Sequence, residues 1–175
     1  MKGVILLDNY FEDTESLSTI DVINRGNIEI VKVNMSDNEV LETQYGHKII
    51  VKDFYKDINF DDFDFLVIPG GKAIANSLFN DKRVYEVIDK FDSKKKLIAC
   101  ICAAPSLLRY KLKGLKYTCF PSFSKYIDGI YTSSGVEVVD NYITAKSMYY
   151  SIEFGLAIVK YLTNNDKLID SLKAI

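Results

Sequence analysis

Five consecutive apolar residues at Leu97–Ile101 lead directly into Cys102, and an Ala-Ala-Pro sequence follows the cysteine. An uninterrupted apolar run of this length, bounded by turn residues, is typical of a β-strand that is buried on both faces. Because proline is accepted in the first turn of a helix, the residues after Cys102 predict a sharp turn into a helix that extends to about Tyr110. Such a strand requires a sheet that is covered on both sides.

The thiol at this turn has two interpretations. It lies near the free N–H groups and the positive end of the predicted helix, an environment that lowers the pKa of a thiol and favours the nucleophilic thiolate. Free cysteine is also commonly buried as a small hydrophobe. Both interpretations stay open for Cys102, whereas Cys100 and Cys119 are predicted to be core residues.

Short apolar runs alternate with helical patterns along the chain. A capping box at Asn9 and Glu12 predicts a helix to about Arg25. The remaining predicted helices are 73–79, 84–91, one that contains 149–159 and ends near Asn164, and 168–174. The predicted strands are 3–7, 28–33, 63–68, 97–101, 117–120 and 136–139, with a short antiparallel excursion at 40–41 and 48–51. Strands that alternate with helices predict one α/β domain over residues 1–175, with a mostly parallel sheet and helices on both faces.

Composition and charge narrow the function classes. The formal net charge of −2 leaves no electrostatic footprint for nucleic acid. The sequence begins in a strand pattern, which argues against a signal peptide, and no apolar run approaches the length of a membrane span. Three cysteines without a framework spacing favour reduced thiols in the cytoplasm. The single histidine, His47, nearly excludes a histidine-built metal site.

Three features follow predicted strands at their carboxyl ends, where open α/β sheets bind ligands. They are the loop and helix start at 8–15, the glycine pair Gly70 and Gly71, and Cys102. Glu15 is either a helix-surface carboxylate or a partly buried acid that hydrogen-bonds the thiolate. The glycine pair is either a tight turn or a place where a backbone N–H approaches a ligand oxygen. We expect His47 in an exposed turn or edge strand.

Taken in order, these segments resemble the ThiJ/PfpI superfamily, and most closely its branch with a Parkinson-associated redox chaperone and bacterial ThiJ-like proteins. The resemblance covers nearly the whole chain. It rests on the joint order of residues 4–7 with 11–15, 21–26, 64–71, 99–105 and 144–157.

The resemblance implies a flavodoxin-like three-layer sandwich that assembles as a homodimer. It implies that Cys102 at a nucleophile elbow is the reactive thiol and that Glu15 is its protonated carboxyl partner. The backbone N–H groups of Gly71 and Ala103 would form an oxyanion pocket, with Gly70 as a neighbour. No metal and no organic cofactor are implied.

One departure from the family pattern concerns chemistry. Many family members carry a histidine where this chain has Phe120, and His47 falls in a different segment. A Cys–His dyad is therefore not expected, and neither is protease activity. Bulky residues at 146–150 replace a Gly-x-x-Ser arm and point to a changed pocket rim.

Two functions use the same residues. The first is a cofactor-independent, glyoxalase- or deglycase-like enzyme, in which Cys102 adds to a small reactive aldehyde or an early glycation adduct. The second is a non-enzymatic redox sensor or chaperone-like protein that acts through oxidation of Cys102. Because both share every site residue, the sequence leaves both open.

Overall fold

The structure, a computed structural model, describes residues 1–174, and residue 175 of the predicted domain lies outside the described residues. The strands are β1 (Lys2–Leu7), β2 (Glu29–Asn34), β3 (Val40–Glu42), β4 (Lys48–Ile50), β5 (Asp53–Phe54), β6 (Phe65–Ile68), β7 (Leu97–Ile101), β8 (Lys116–Tyr117), β9 (Ile130–Tyr131), β10 (Val136–Val139) and β11 (Tyr142–Ala145). The α-helices are α1 (Asp13–Arg25), α2 (Lys72–Asn76), α3 (Lys82–Ser93), α4 (Ser151–Thr163) and α5 (Asp166–Lys173).

Seven strands form the main sheet in the order β10-β11-β7-β6-β1-β2-β5. Every neighbouring pair is parallel except β10 and β11. The connections β1–α1–β2 and β6–α3–β7 run in opposite directions across the sheet, so right-handed crossovers place α1 and α3 on opposite faces. The central strands β6 and β7 are buried at every residue. The predicted α/β sandwich with a mostly parallel sheet is confirmed.

The antiparallel excursion is also confirmed, as the hairpin of β3 and β4. It is tied to the loop after β1 by two backbone hydrogen bonds, from Tyr10 N–H to Glu42 O and from Gln44 N–H to Phe11 O. The hairpin therefore stands over the carboxyl end of β1. Within the described residues, no helix combines the length and apolarity that a membrane crossing requires.

The segment after Cys102 differs from the prediction. It forms a 3-10 helix at Ala104–Leu108 rather than an α-helix to about Tyr110. The N–H and the hydroxyl group of Ser106 both donate to the carbonyl oxygen of Ala103, which closes the tighter turn. The described residues therefore place no α-helix directly after Cys102, and the helix dipole that was expected to stabilise its thiolate is missing.

Two further local predictions were wrong. The N-cap of α1 is Glu12 rather than Asn9, whose side chain accepts a hydrogen bond from Glu42 N–H instead. The strand predicted at 117–120 ends at Tyr117, because Thr118 N–H donates to the Thr144 side chain rather than to a strand ladder. The strand β11, which pairs with β7, was not predicted.

Helices α1 and α4 pack closely on one face of the sheet, and a glycine permits their approach. A Cβ atom on Gly155 of α4 would lie 2.9 Å from the Cβ of Val22 of α1. Because a Cβ atom moves only with its backbone, any side chain at this position pushes the two helices apart. Gly155 thereby helps to hold α1, and with it Glu15, against the sheet.

We expect Gly155→Leu to lower the free energy of unfolding by about 1–3 kcal/mol, because it overpacks the contact between α1 and α4. Urea unfolding at neutral pH measures the change. Glu153→Leu places the same side chain on the exposed face of α4 and serves as the control. Equal stability of the two variants would show that the helices are not in close contact.

Candidate active site

Three neighbouring strands deliver the candidate site residues to one edge of the sheet. Glu15 lies in the first turn of α1 after β1, Gly70 and Gly71 follow β6, and Cys102 follows β7. The N–H of Gly70 donates to Oε2 of Glu15 over 2.8 Å. A Cβ atom on Gly70 would lie 2.7 Å from both this oxygen and the Cβ of Cys102. The structure therefore brings the acid, the glycine turn and the thiol together.

Gly71 holds a backbone conformation that only glycine adopts readily. Its φ angle is +94°, and a Cβ atom there would lie 2.5 Å from both the carbonyl oxygen of Tyr10 and the amide nitrogen of Glu12. A bridge between Phe11 and Gly71 joins the two loops. This close approach leaves the Gly71 N–H facing the sulfur of Cys102.

Cys102 has a strained backbone, with a φ angle of +63°. Left-handed conformations of residues other than glycine cost about 1–3 kcal/mol and persist where the surroundings fix them. Here the N–H of Cys102 donates to Ala145 O over 2.9 Å, and its carbonyl oxygen accepts from Phe120 N–H over 2.7 Å. Both neighbouring segments thus clamp the turn, as in a nucleophile elbow.

Glu15 is a buried acid. Its residue is 1% exposed, and burial is the main reason why its pKa rises from 4.5 to about 7. The negative charge of Glu12 also raises this pKa, whereas contact with Cys102 and the hydrogen bond from Gly70 oppose the rise. The second oxygen, Oε1, is buried without a hydrogen-bond partner of regular geometry among the described residues. A buried, unpaired oxygen favours the protonated acid at neutral pH.

The prediction of a lowered thiol pKa was wrong. Burial raises the pKa of Cys102, and the charge of Glu15 raises it further. The N–H groups of Ala103 and Gly71 act in the opposite direction, because they stabilise the thiolate. Glu15 therefore loses its proton more readily than Cys102 does, and a thiolate forms most easily when Glu15 keeps the proton.

A cavity of about 400 Å³ opens onto the Cys102 side chain. Its wall is mainly apolar and includes two acidic side chains, Glu12 and Glu15, and one basic side chain, Lys72. The lining residues are Glu12, Glu15, Gln44, Tyr45, Gly71, Lys72, Ala75, Cys102, Ala103, Phe120, Phe123, Ser147 and Met148. Of the predicted neighbours, Phe120 lines the cavity and is 43% exposed, whereas Gly70 lies behind the wall.

Sequence reasoning missed several of these residues. Gln44 and Tyr45 reach the cavity because the β3–β4 hairpin folds over the loop after β1, and Gln44 Oε1 accepts a hydrogen bond from Lys72 N–H. The sequence predicts only a capping role for Glu12. It does cap α1, through a bond from Glu15 N–H, and its carboxyl group also faces the cavity, where burial raises its pKa. No local pattern signals these long-range positions.

His47 lies outside the cavity. It sits in the hairpin turn with a side chain that is 75% exposed, as predicted, and its Nδ1 lies 2.7 Å from Oδ1 of Asp13. Among residues 1–174, no three histidine, cysteine or acidic side chains are grouped closely enough to hold a metal ion.

The chain is similar to known proteins in both sequence and structure. The profile of the DJ-1/PfpI family matches residues 1–161. An uncharacterised protein of Methanocaldococcus jannaschii is 30% identical over 171 residues, which cover 94% of this chain and 83% of that protein. A protein of Pyrococcus abyssi named as a deglycase is 29% identical over 142 residues, covering 80% and 82% of the two chains. The crystal structure of Drosophila melanogaster DJ-1beta superposes with a TM-score of 0.90 at 24% identity, covering 98% of this chain and 94% of that chain.

The raised pKa of Glu15 makes stability depend on pH. Between its unfolded value of 4.5 and its folded value of about 7, the folded chain binds more protons at Glu15 than the unfolded chain does. Stability of the wild type therefore falls as the pH rises through this window.

We expect Glu15→Gln to escape this loss. The free energy of unfolding of Glu15→Gln minus that of the wild type should increase by on the order of 2–3 kcal/mol when the pH is raised from 5 to 8. Urea titrations at both pH values measure the gap, with Glu153→Gln as the control for removing a surface charge. A gap that stays constant or shrinks as the pH rises would refute the assignment of a raised pKa.

Proposed function

The chain belongs to the DJ-1/PfpI family, and on that premise we propose that it converts small reactive aldehydes, 2-oxoaldehydes or early glycation adducts, through Cys102 without a bound cofactor. One observation carries the proposal. A clamped, strained cysteine stands beside a buried acid with a pKa of about 7, and both line a cavity of about 400 Å³. The deglycase name of the Pyrococcus abyssi relative supports the same class of chemistry.

The first step would be addition of the thiol to the aldehyde. The sulfur of Cys102 forms a bond to the carbonyl carbon, and the C=O electron pair moves onto the oxygen. The thiol proton passes to Glu15 and from there to this oxygen, which gives a hemithioacetal. The N–H groups of Gly71 and Ala103, which already face the sulfur, would stabilise the oxygen while it carries negative charge.

The second step would be a proton shift between carbons. The Glu15 carboxylate removes the hydrogen of the hemithioacetal carbon as a proton, and the ketone oxygen takes up the proton of the hemithioacetal hydroxyl group, which leaves an enediolate. Glu15 then returns its proton to the neighbouring carbon, which now carries the hydroxyl group, and the carbon bound to sulfur becomes a C=O group. The product is a 2-hydroxy thioester. Water then replaces sulfur at the carbonyl carbon, releasing a 2-hydroxy acid and restoring the thiol. The sum is addition of one water to the 2-oxoaldehyde.

The electrostatics of Glu15 suit this double task. A group that both accepts and donates a proton works best when its pKa lies near the working pH. Burial provides that value for Glu15. Phe120 offers no base, so proton transfer in this site depends on carboxyl groups, of which Glu15 is the one in contact with Cys102, and this separates the site from a Cys–His hydrolase.

A redox role is the second candidate, and selective exposure favours it. Cys102 is half-buried beside the cavity, whereas Cys100 and Cys119 are fully buried. With a peroxide, the thiolate sulfur would attack one oxygen, the O–O bond would break, and hydroxide would leave. The sulfur is then oxidised to a sulfenic acid and the peroxide is reduced.

The homodimer implied by the family resemblance stays a prediction. Exposed apolar side chains on the paired helices α1 and α4 support it. Leu17 is 48% exposed and Ile152 is 53% exposed. Location in the cytoplasm stays a prediction as well.

Turnover of methylglyoxal, followed by NMR detection of lactate, tests the enzyme proposal. We expect the wild type to produce lactate with a rate that rises through about pH 7. Cys102→Ser should abolish production, and Glu15→Gln should reduce it by on the order of 10²-fold because the proton shift loses its base. Cys119→Ala, at a buried cysteine outside the cavity, is the matched control.

Two results would contradict the proposal. One is lactate production that survives Cys102→Ser. The other is a wild type that yields no lactate but whose Cys102 is oxidised by stoichiometric peroxide, as detected by mass spectrometry, while the two buried cysteines stay reduced. That result selects the redox role.

A further inference from the structure

A second cavity adjoins the one that contains Cys102. Its volume is about 190 Å³, and it is lined by Ala75, Phe79, Phe123 and Tyr126. Ala75 and Phe123 line the first cavity as well. The two spaces therefore share a wall made of one small and one aromatic side chain.

The second cavity is an aromatic shelf. The ring of Tyr126 lies 5.5 Å from that of Phe79 and 5.9 Å from that of Phe123, measured between centroids. Hydrogen bonds to the main chain hold two residues of the shelf in place. The carbonyl oxygen of Phe79 accepts from the Tyr85 hydroxyl group, and the N–H of Phe123 donates to the carbonyl oxygen of Phe120. None of the four residues that line the shelf is charged, but Arg109 Cζ lies 5.2 Å from the centroid of the Phe79 ring and Lys125 Nζ lies 5.1 Å from that of Tyr126, so a cation stands over each of these two rings.

The shared wall lies away from the two acids of the Cys102 cavity, although Lys72 of the same cavity lies one turn before Ala75 in α2. The acids of that cavity, Glu12 and Glu15, come from the start of α1, whereas the residues that continue into the shelf are Ala75 and Phe123. A bound molecule with a reactive polar end and an apolar end would thus have a place for each. Tyr126 is 44% exposed, so the shelf is reachable from solvent.

The dimensions select the kind of group that fits. An apolar cavity of about 150 Å³ accommodates a benzene ring. The shelf is slightly larger, and aromatic rings attract one another beyond the gain from buried area. A methyl group, as in methylglyoxal, would leave the shelf empty.

We propose that the substrate of Cys102 carries an aromatic or branched aliphatic tail that occupies the shelf of Phe79, Phe123 and Tyr126. This inference rests on the proposed function, because it assigns the tail to the molecule that reacts at Cys102. The substrate class becomes 2-oxoaldehydes with an aryl or bulky alkyl substituent.

Alkylation of Cys102 tests the shelf without requiring turnover. The rate constants for iodoacetamide and for N-benzyl-iodoacetamide are measured by mass spectrometry, which identifies the alkylated cysteine, and each is divided by the rate constant for free glutathione. We expect the normalised ratio of the benzyl reagent to the small reagent to exceed one by about three- to tenfold in the wild type.

Two variants should remove this preference. Tyr126→Ala deletes part of the shelf, and Ala75→Leu fills the shared wall, so both should bring the ratio close to one. Tyr161→Ala is the matched control, because Tyr161 is similarly exposed at 40% and lies near Lys95 and Asn141 at the opposite edge of the sheet. Its ratio should equal that of the wild type.

The outcomes separate the two proposals. If Cys102 reacts with iodoacetamide but the benzyl reagent gains nothing, or if Tyr126→Ala and Ala75→Leu keep the gain, the tail site is refuted and the proposed function stands. If Cys102 reacts with neither reagent while the chain is folded, the nucleophile itself is refuted and both proposals fail.

Discussion

The hydrogen bond from the Gly70 N–H to the Glu15 carboxyl group joins the end of β6 to the first turn of α1, and the geometry of the site depends on it. Parallel strands deliver both loops to the same edge of the sheet, but only a residue without a side chain permits their contact. A Cβ atom on Gly70 would collide with Glu15 and with the turn that carries Cys102. The spacing between acid and thiol is therefore set largely by backbone, which makes it rigid.

Burial gives this pair its chemical character. Burial raises the pKa of both Glu15 and Cys102. Because little water reaches the site to screen their repulsion, the two groups are not readily ionised at the same time. As the pH rises through about 7 the pair loses its first proton, which comes mostly from Glu15, and the N–H groups of Gly71 and Ala103 stabilise the minor form in which the negative charge lies on sulfur. A proton that moves between a carboxyl group and a thiol is what an aldehyde addition followed by a carbon-to-carbon proton shift requires. The aromatic shelf of Phe79, Phe123 and Tyr126 would then determine which aldehydes bind beside Cys102 and Glu15.

Much of this arrangement could be predicted from the sequence, because the strands, the elbow at Cys102 and the glycine turn have local patterns. Their meeting at one edge follows from parallel topology alone. What could not be predicted depends on long-range contacts. The four residues of β11 have too short a pattern to distinguish a strand, and Gln44 enters the cavity only because a hairpin folds over it. The predicted lowering of the Cys102 pKa is wrong because burial and the charge of Glu15, which raise this pKa, outweigh the local N–H groups, which lower it.

The pH dependence of Cys102 alkylation by iodoacetamide tests the shared proton most directly. In the wild type we expect the rate to rise through about pH 7 and then to level off, because the pair loses its first proton there and keeps a fixed fraction of thiolate. In Glu15→Gln the step near pH 7 should vanish, and the rate should rise only at alkaline pH, since burial raises the pKa of the remaining thiol. A step that persists in Glu15→Gln, or a wild type that titrates as an ordinary thiol at about pH 8.5, would contradict the coupling of Cys102 to Glu15.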